Sequence, residues 1–128
     1  MGSMVSKYDF IKDKLSDIAP VYIIQAPTSA KYPYIIIDFT TQNELDYLKD
    51  ELFLDIDIWN KTKMINGDVF YDTEVIADKV ESRLKYLRES DTEHGYMINQ
   101  MNRIRVPDED KEVQHRKLKY YVKAYNRN

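Results

Sequence analysis

The residues best suited to chemistry are two aspartates, Asp55 and Asp57, in a stretch that alternates apolar and polar side chains. Residues two apart on a β-strand point to the same face, so the two carboxylates could bind Mg²⁺, which prefers oxygen ligands. A metal-dependent nuclease would also need a base and a third carboxylate, and neither has an evident candidate. The simpler interpretation is a solvated strand face that holds no metal and no other cofactor.

Two histidines, His94 and His115, are the remaining candidates for acid–base chemistry. Neither has a Ser, Cys or Asp partner at a spacing that suggests a catalytic triad, and we expect both on the surface. The chain contains no cysteine, which excludes thiol catalysis and disulfide bonds, and it has no glycine-rich loop to hold a phosphate. The sequence therefore predicts a protein that is not an enzyme.

The composition fits one small domain. The chain has 128 residues, 43% hydrophobic and 32% charged, enough to fold without a disulfide or a metal. No apolar run is long enough for a membrane span and no signal peptide is evident, so we expect a cytoplasmic protein without a membrane partner. We expect residues 1–3, ahead of a second methionine, to be left from an expression tag and residues 4–128 to form the domain.

Charge is distributed unevenly along a chain whose net charge is −3. Residues 41–57 contain six acidic residues and one lysine, whereas residues 113–128 contain five basic residues and no acidic one. Two such patches suit pairing between strands of one chain, or head-to-tail association of copies into a ring. Both interpretations stay open at the level of the sequence.

The basic C-terminal segment also raises the question of nucleic acid. Its lysines are interleaved with Tyr120, Tyr121 and Tyr125, and lysines with aromatic rings can form a stacking platform for a single strand. The chain has eleven tyrosines, however, so aromatic content is not specific to this segment. Its overall acidic charge argues against nucleic acid as a partner.

The N-terminal third predicts one helix and two strands. Apolar residues recur at helical spacing up to Pro20, and Ser6 with Asp9 suggests a capping box at the helix start. Residues 21–24 predict a short strand, and residues 34–41 a second strand. Three consecutive isoleucines in the second strand suggest that it is central. The polar residues 42–50 predict no element.

The remainder predicts three strands and a second helix. Leu52, Leu54, Ile56 and Ile58 alternate strictly with polar or aromatic residues and give the clearest strand. Residues 60–71 predict a loop, followed by a helix that is capped by Asp72 or Thr73 and ends near Ser90. An extended run from Gly95 and a final strand follow; on that strand one face carries Leu118, Tyr120, Val122 and Ala124.

Together these elements predict an α+β fold in the order α-β-β-β-α-β-β. We expect a mostly antiparallel sheet of about five strands, with both helices packed on the face that carries Leu52 and Ile56. The opposite face must meet water or another subunit. Its side chains are the candidate subunit or partner interface: Phe53, Asp55, Asp57, Trp59, Lys117, Lys119, Tyr121 and Lys123.

Several short motifs resemble those of the tail terminators, the small tail-completion proteins of long-tailed phages. The motifs are Ala26-Pro27, Pro33-Tyr34-Ile35-Ile36, Leu54-Asp55-Ile56-Asp57-Ile58-Trp59 and Arg116-Lys117-Leu118-Lys119-Tyr120-Tyr121-Val122. The resemblance extends in element order from Tyr8 to Tyr125. The matched positions are structural, and residues 42–50 follow no pattern of the family.

The resemblance implies an α+β subunit of a hexameric ring that caps the tail tube, stops its elongation and offers the surface to which the head attaches. The implied partners are other copies of the chain, the major tail tube protein and a head-completion connector. The implied location is the virion tail, and the host cytoplasm during assembly. Two alternatives remain: a nucleic-acid-binding module that uses the basic C-terminal strand, and a head-completion connector.

Overall fold

The computed structural model describes residues 4–46, 48–70 and 72–127. The expected tag, residues 1–3, lies outside the described residues. The helices and strands follow the chain in this order: α1 Met4–Leu15, β1 Val21–Ile23, β2 Tyr34–Asp46, β3 Lys49–Lys61, β4 Lys63–Ile65, β5 Asp68–Phe70, α2 Asp72–Leu84, β6 Arg88–Ser90, β7 His94–Arg105 and β8 Val113–Asn126.

The main sheet has six strands in the order β1-β2-β3-β8-β7-β6. Strand β1 runs parallel to β2, and the other neighbouring pairs are antiparallel. The α+β class is confirmed, but the sheet is mixed and has six strands rather than a mostly antiparallel five. Strand β2 is not central as predicted: β3 and β8 occupy the middle, and Ile36 is only half-buried on the far face.

Both helices pack on one face of this sheet, as predicted. The core is a single apolar cluster in which the alternating residues of β3 meet the apolar stripes of the helices. Leu52, Leu54, Ile56 and Ile58 are all fully buried. The main contributions from the helices are Phe10, Ile11, Leu15, Ala77, Val80 and Leu84.

The predicted helix boundaries need correction. Helix α1 begins at Met4, so Ser6 and Asp9 lie inside it and do not form a capping box at its start. Helix α2 begins at Asp72, one of the two residues predicted to cap it, and ends at Leu84, not near Ser90. Residues 88–90 instead form β6, because their backbone pairs with residues 95–97 of β7.

Two segments for which the sequence predicted no strand contain strands. Most of residues 42–50 belong to the β2–β3 hairpin, where the ladder continues to the pair of Asp46 with Lys49. The predicted loop 60–71 contains a small hairpin, β4–β5, and its Tyr71 lies outside the described residues. Asn66 and Gly67 at its turn have φ of 54° and 85°, the conformation that an Asn-Gly type I′ turn requires.

No helix among the described residues is long and apolar enough to cross a membrane.

Candidate functional site

The sheet face opposite the helices is the candidate site. In the described part of the chain, no helix and no strand of the small hairpin packs against it. We call it the open face and define it by the eight residues predicted as an interface: Phe53, Asp55, Asp57 and Trp59 of β3, and Lys117, Lys119, Tyr121 and Lys123 of β8. All eight are half-buried, between buried neighbours on both strands.

The backbone register brings these residues together in rows across two adjacent strands. Phe53 lies opposite Tyr121, with ring centroids 5.7 Å apart. The next rows pair Asp55 with Lys119 and Asp57 with Lys117. Such directly opposed side chains are the contacts that stabilise a sheet. The alternation seen in the sequence therefore places the predicted residues on one continuous surface.

Asp55 and Asp57 both form ion pairs with one lysine, Lys117. Lys117 Nζ lies 3.6 Å from Asp55 Oδ2 and 3.7 Å from Asp57 Oδ1. No group of three or more metal-ligating side chains that could hold an ion occurs among the described residues. The ammonium group thus supplies the positive charge that two neighbouring carboxylates need, and this arrangement fits a structural role for the pair.

His115 is buried on the open face, contrary to the prediction of a surface histidine. Its Nε2 lies 2.5 Å from Asp57 Oδ1, and its ring stacks on Trp59 with centroids 3.8 Å apart. The residue is only 7% exposed. The Trp59 indole covers one side of the imidazole. The sequence pattern, in which His115 alternates with basic residues, did not predict this contact. Together, the two rings form a rigid aromatic end to the open face.

Tyr121 lies toward the other end of the open face. Its hydroxyl donates to Glu51 Oε2 over 2.7 Å, and this hydrogen bond, with a smaller effect of burial, raises the pKa of Tyr121 to about 12. Lys123 Nζ lies 5.8 Å from the centroid of the Tyr121 ring, a cation–π contact. Among the described residues, Lys119 has no ion pair with any acidic group.

Sequence reasoning missed a buried polar cluster on the helix side of the sheet. Lys7 is 1% exposed, and its Nζ lies 3.3 Å from Asp50 Oδ2, which also accepts a hydrogen bond from Gln42 Nε2. The signal was present in the spacing, because Lys7 shares a helix face with Ile11 and Leu15 at i, i+4 and i+8. The cluster fixes the turn end of the β2–β3 hairpin to α1.

His94 lies near this cluster and is fully buried, so the prediction that it is on the surface is also wrong. Its Nδ1 lies 3.3 Å from the Tyr96 hydroxyl, and its Nε2 has no partner among the described residues. Burial, and then the positive charge of Lys7, lower the pKa of His94. The ring is therefore an interior neutral imidazole and is not placed to serve as a surface acid or base.

A comparison with solved structures finds a similar fold. The chain is similar to a chain in the virion of native gene transfer agent (GTA) particle, with a TM-score of 0.63 and 8% sequence identity. The likeness covers 90% of this chain and 91% of that chain. No family model matches the sequence, and no curated protein matches it. The likeness concerns the fold.

Proposed function

We propose that this protein is a structural component of a phage-like particle, and within that class a tail terminator. Several copies, six by the resemblance of the sequence motifs, form a ring that caps the tail tube. The ring occupies the surface on which another layer of tube subunits would add and offers its far side to the head connector. The mechanism is geometric and requires no reaction.

The observation that carries this proposal is the whole-chain likeness to a chain of the gene transfer agent virion, at a TM-score of 0.63. The open face supports it independently. Aromatic residues such as Trp59 and Tyr121 are the kind that anchor protein interfaces, since they bury a large rigid area at little entropic cost. Here they stand on a sheet face that no helix of the described chain covers.

The charges of the open face favour a protein partner over nucleic acid. Asp55 and Asp57 lie among the lysines of β8, and Lys117 is neutralised by both carboxylates. A polyanion laid along this face would meet carboxylates in the same rows as ammonium groups. A protein surface can match such an alternation, because it can carry both signs of charge.

Tube assembly in vitro tests the proposal. The cognate major tail tube protein is polymerised with and without this chain, and tube lengths are measured by negative-stain microscopy. We expect a stoichiometric amount of the ring to give short tubes of narrow length distribution. Unchanged tube growth would reject the terminator role, and binding to the head connector without any effect on tubes would favour the head-completion alternative.

A matched pair of variants assigns the effect to the open face. Trp59→Ala removes the indole that stacks on His115, and we expect it to abolish the shortening of tubes. Tyr86→Ala is the control, because Tyr86 is 71% exposed in the segment between α2 and β6, away from the open face. Equal activity of both variants would place the tube contact elsewhere on the molecule.

A further inference from the structure

The β4–β5 hairpin projects from the body of the molecule, and we call residues 63–70 the arm. In the described part of the chain, the arm packs against no other helix or strand. Its base is fixed, because the N–H of Thr62 donates to the carbonyl of Glu112 over 2.6 Å and Lys63 Nζ lies 3.3 Å from Asp72 Oδ2. The arm is therefore held at its base while its tip stands clear of the sheet and the helices.

The tip of the arm is apolar and exposed. Met64 is 61% exposed and Ile65 is 50% exposed, and residues 64–67 include no charged side chain. A two-stranded hairpin alone is at best marginally stable in water, and it gains stability when it packs against another surface. Within the described chain no such surface covers the arm. A second molecule is therefore the natural source of that cover.

A cavity of about 310 Å³ lies at the far corner of the main sheet. We call it the socket and define it by five of its lining residues: Arg88, Ser90, Gly95, Met97 and Tyr125. Met97 lies directly opposite Lys123 in the β7–β8 pair, so the socket is on the same side of the sheet as the open face. A Cβ atom at Gly95 would meet nothing within 4 Å, so the glycine leaves free space in the socket.

The charged groups around the socket are already satisfied within the chain. The Arg88 guanidinium donates to the carbonyls of Leu87 and Ile98, and Glu89 forms an ion pair with Lys14. Burial of an unpaired charge is costly, and the uncharged tip of the arm would bring none into the socket. Met, Tyr and Arg, which line the socket, are residues enriched in protein interfaces. The socket thus suits an uncharged apolar insert.

The arm cannot reach the socket of its own chain, because the two lie near opposite ends of β8. Lys61, just before the arm, lies opposite Val113 of β8. Gly95 of the socket lies opposite Tyr125, twelve residues further along the same strand. At roughly 3.3 Å per residue this separation is about 40 Å, whereas the four residues from Lys61 to Ile65 span at most about 14 Å. Any contact between arm and socket therefore joins two copies.

We propose that the tip of the arm of one copy inserts into the socket of the next copy, with Ile65 against Met97. The inference rests on the proposed ring and names the contact that closes it. Arm and socket are different surfaces, so the interface is heterologous, the type that generates rings when the rotation closes. The segment 60–71, predicted as a loop, thereby acquires a role in assembly.

Cysteine cross-linking tests the contact directly, because the chain has no native cysteine. The variant Ile65→Cys/Met97→Cys is oxidised mildly, both in solution and on tubes of the cognate tail tube protein. A disulfide needs Cα atoms within about 7 Å, so only bonds between copies can form. We expect a ladder of multimers on a non-reducing gel that ends at the size of the closed ring. Each single variant should give one monomer band.

The outcomes of this experiment separate the arm contact from the proposed function. Rings of the double variant that are visible on tubes but give no ladder would overturn the contact and leave the terminator role standing. A ladder without any effect on tube growth would support the contact and reject that role. A product that stops at the dimer would indicate reciprocal exchange of arms between two copies and overturn the ring contact. A wild-type chain that neither self-associates nor caps tubes would overturn both.

Filling the socket gives a second readout that does not depend on oxidation. Gly95→Leu places a side chain in the free space of the socket, and we expect self-association to weaken by about tenfold or more, as when one anchor of an interface is lost. Ser29→Leu is the matched control, because it adds the same side chain at an exposed position between β1 and β2. Unchanged self-association of Gly95→Leu would reject the socket. Intact self-association with loss of tube capping would assign the socket to the tube protein and also overturn the proposal.

A charge at the tip of the arm tests the other partner of the contact. Ile65→Glu should weaken self-association to a similar degree, because its carboxylate would be buried in a socket that offers no free positive charge. Val5→Glu is the control, since Val5 is 68% exposed on α1 and belongs to neither surface. Sedimentation measures both variants, and equal self-association of the two would overturn the role of the arm.

Discussion

Lys117 Nζ lies 3.6 Å from Asp55 Oδ2, across the two central strands of the sheet. This pair joins the acidic segment of the sequence to the basic one within a single subunit. Part of the charge asymmetry along the chain is therefore neutralised by pairing between strands of one chain, the first of the two interpretations of the charge pattern. The charges that are left for contacts between subunits are those without an ion pair in the described chain, such as Glu44, Arg105 and Lys119.

Replacement of Lys117 should affect the stability of the subunit more than its association. Lys117→Met leaves Asp55 and Asp57 facing each other, and we expect a loss of roughly 1 kcal/mol in the free energy of unfolding. Urea denaturation measures it. Self-association should still weaken between 0.1 M and 1 M salt in both proteins, because screening shortens to about 3 Å at 1 M. Sedimentation that is indifferent to salt in the wild type would contradict charged contacts between subunits.

Truncation of Ile56 tests the central strand. Ile56 is fully buried under the helices, so Ile56→Ala should lower the free energy of unfolding by about 2 to 5 kcal/mol. Ile104→Ala is the control, since Ile104 is 42% exposed on β7, and its loss should stay within about 0.5 kcal/mol. Equal shifts in the denaturant midpoints of the two variants would mean that the burial pattern of β3 is wrong.

The burial of His94 predicts a loss of stability in mild acid. Its pKa is lowered in the folded protein from an ordinary value of 6.5. Below about pH 6.5 the unfolded chain therefore binds a proton at this residue that the folded chain does not, and the free energy of unfolding decreases as the pH falls. The effect is complete once the pH reaches the lowered folded value.

The variant His94→Gln isolates this effect, because glutamine does not titrate. Between pH 6.5 and the lowered folded pKa, its free energy of unfolding should depend less on pH than that of the wild type, as measured by urea denaturation at several pH values. Burial alone would raise the pKa of Asp91, but hydrogen bonds from the backbone of His94 and Glu93 outweigh it, and the pKa is lowered. The stability that Asp91 contributes is therefore lost only below its ordinary pKa of 3.8. Parallel pH profiles for the two proteins would contradict a buried neutral His94.

The sequence could predict β3 and β8 because each strand has one face in the core and one outside it. Strict alternation on β3 then identifies the buried set, from Leu52 to Ile58, and equally the outward residues Asp55 and Trp59. That same alternation placed all eight interface candidates on one face. The alternation does not show which of these residues contacts a partner, and that assignment remains a proposal.

The β2–β3 hairpin and β6 could not be predicted for physical reasons that differ. Residues 40–45 are exposed and lie beyond the part of β2 that β1 covers, so no burial requirement selects apolar residues there, and the segment has the composition of a loop. Strand β6 has only three residues, all exposed, and its pairing with β7 is set by tertiary contact. Lys7 was missed because an amphipathic pattern treats every charged side chain as outward-facing, although the partner Asp50 neutralises it in the interior.

The open face should not bind nucleic acid. We expect a labelled single strand to show no submicromolar affinity for the protein at low salt, because Asp55 and Asp57 lie in the rows of the β8 lysines. A fluorescence titration measures this. Submicromolar binding that Lys119→Glu abolishes, with a salt slope of about 0.7 per phosphate contacted, would instead favour the nucleic-acid-binding alternative.

Imaging of the protein bound to tail tubes tests directly whether it caps them as a ring. Purified tubes of the cognate major tail tube protein are mixed with the wild-type chain and examined by negative-stain microscopy with class averaging. For a tail terminator we expect a ring of copies at one end of each tube, and no such ring when Trp59→Ala is used. Tubes with bare ends at saturating protein, or protein scattered along their sides, would contradict it.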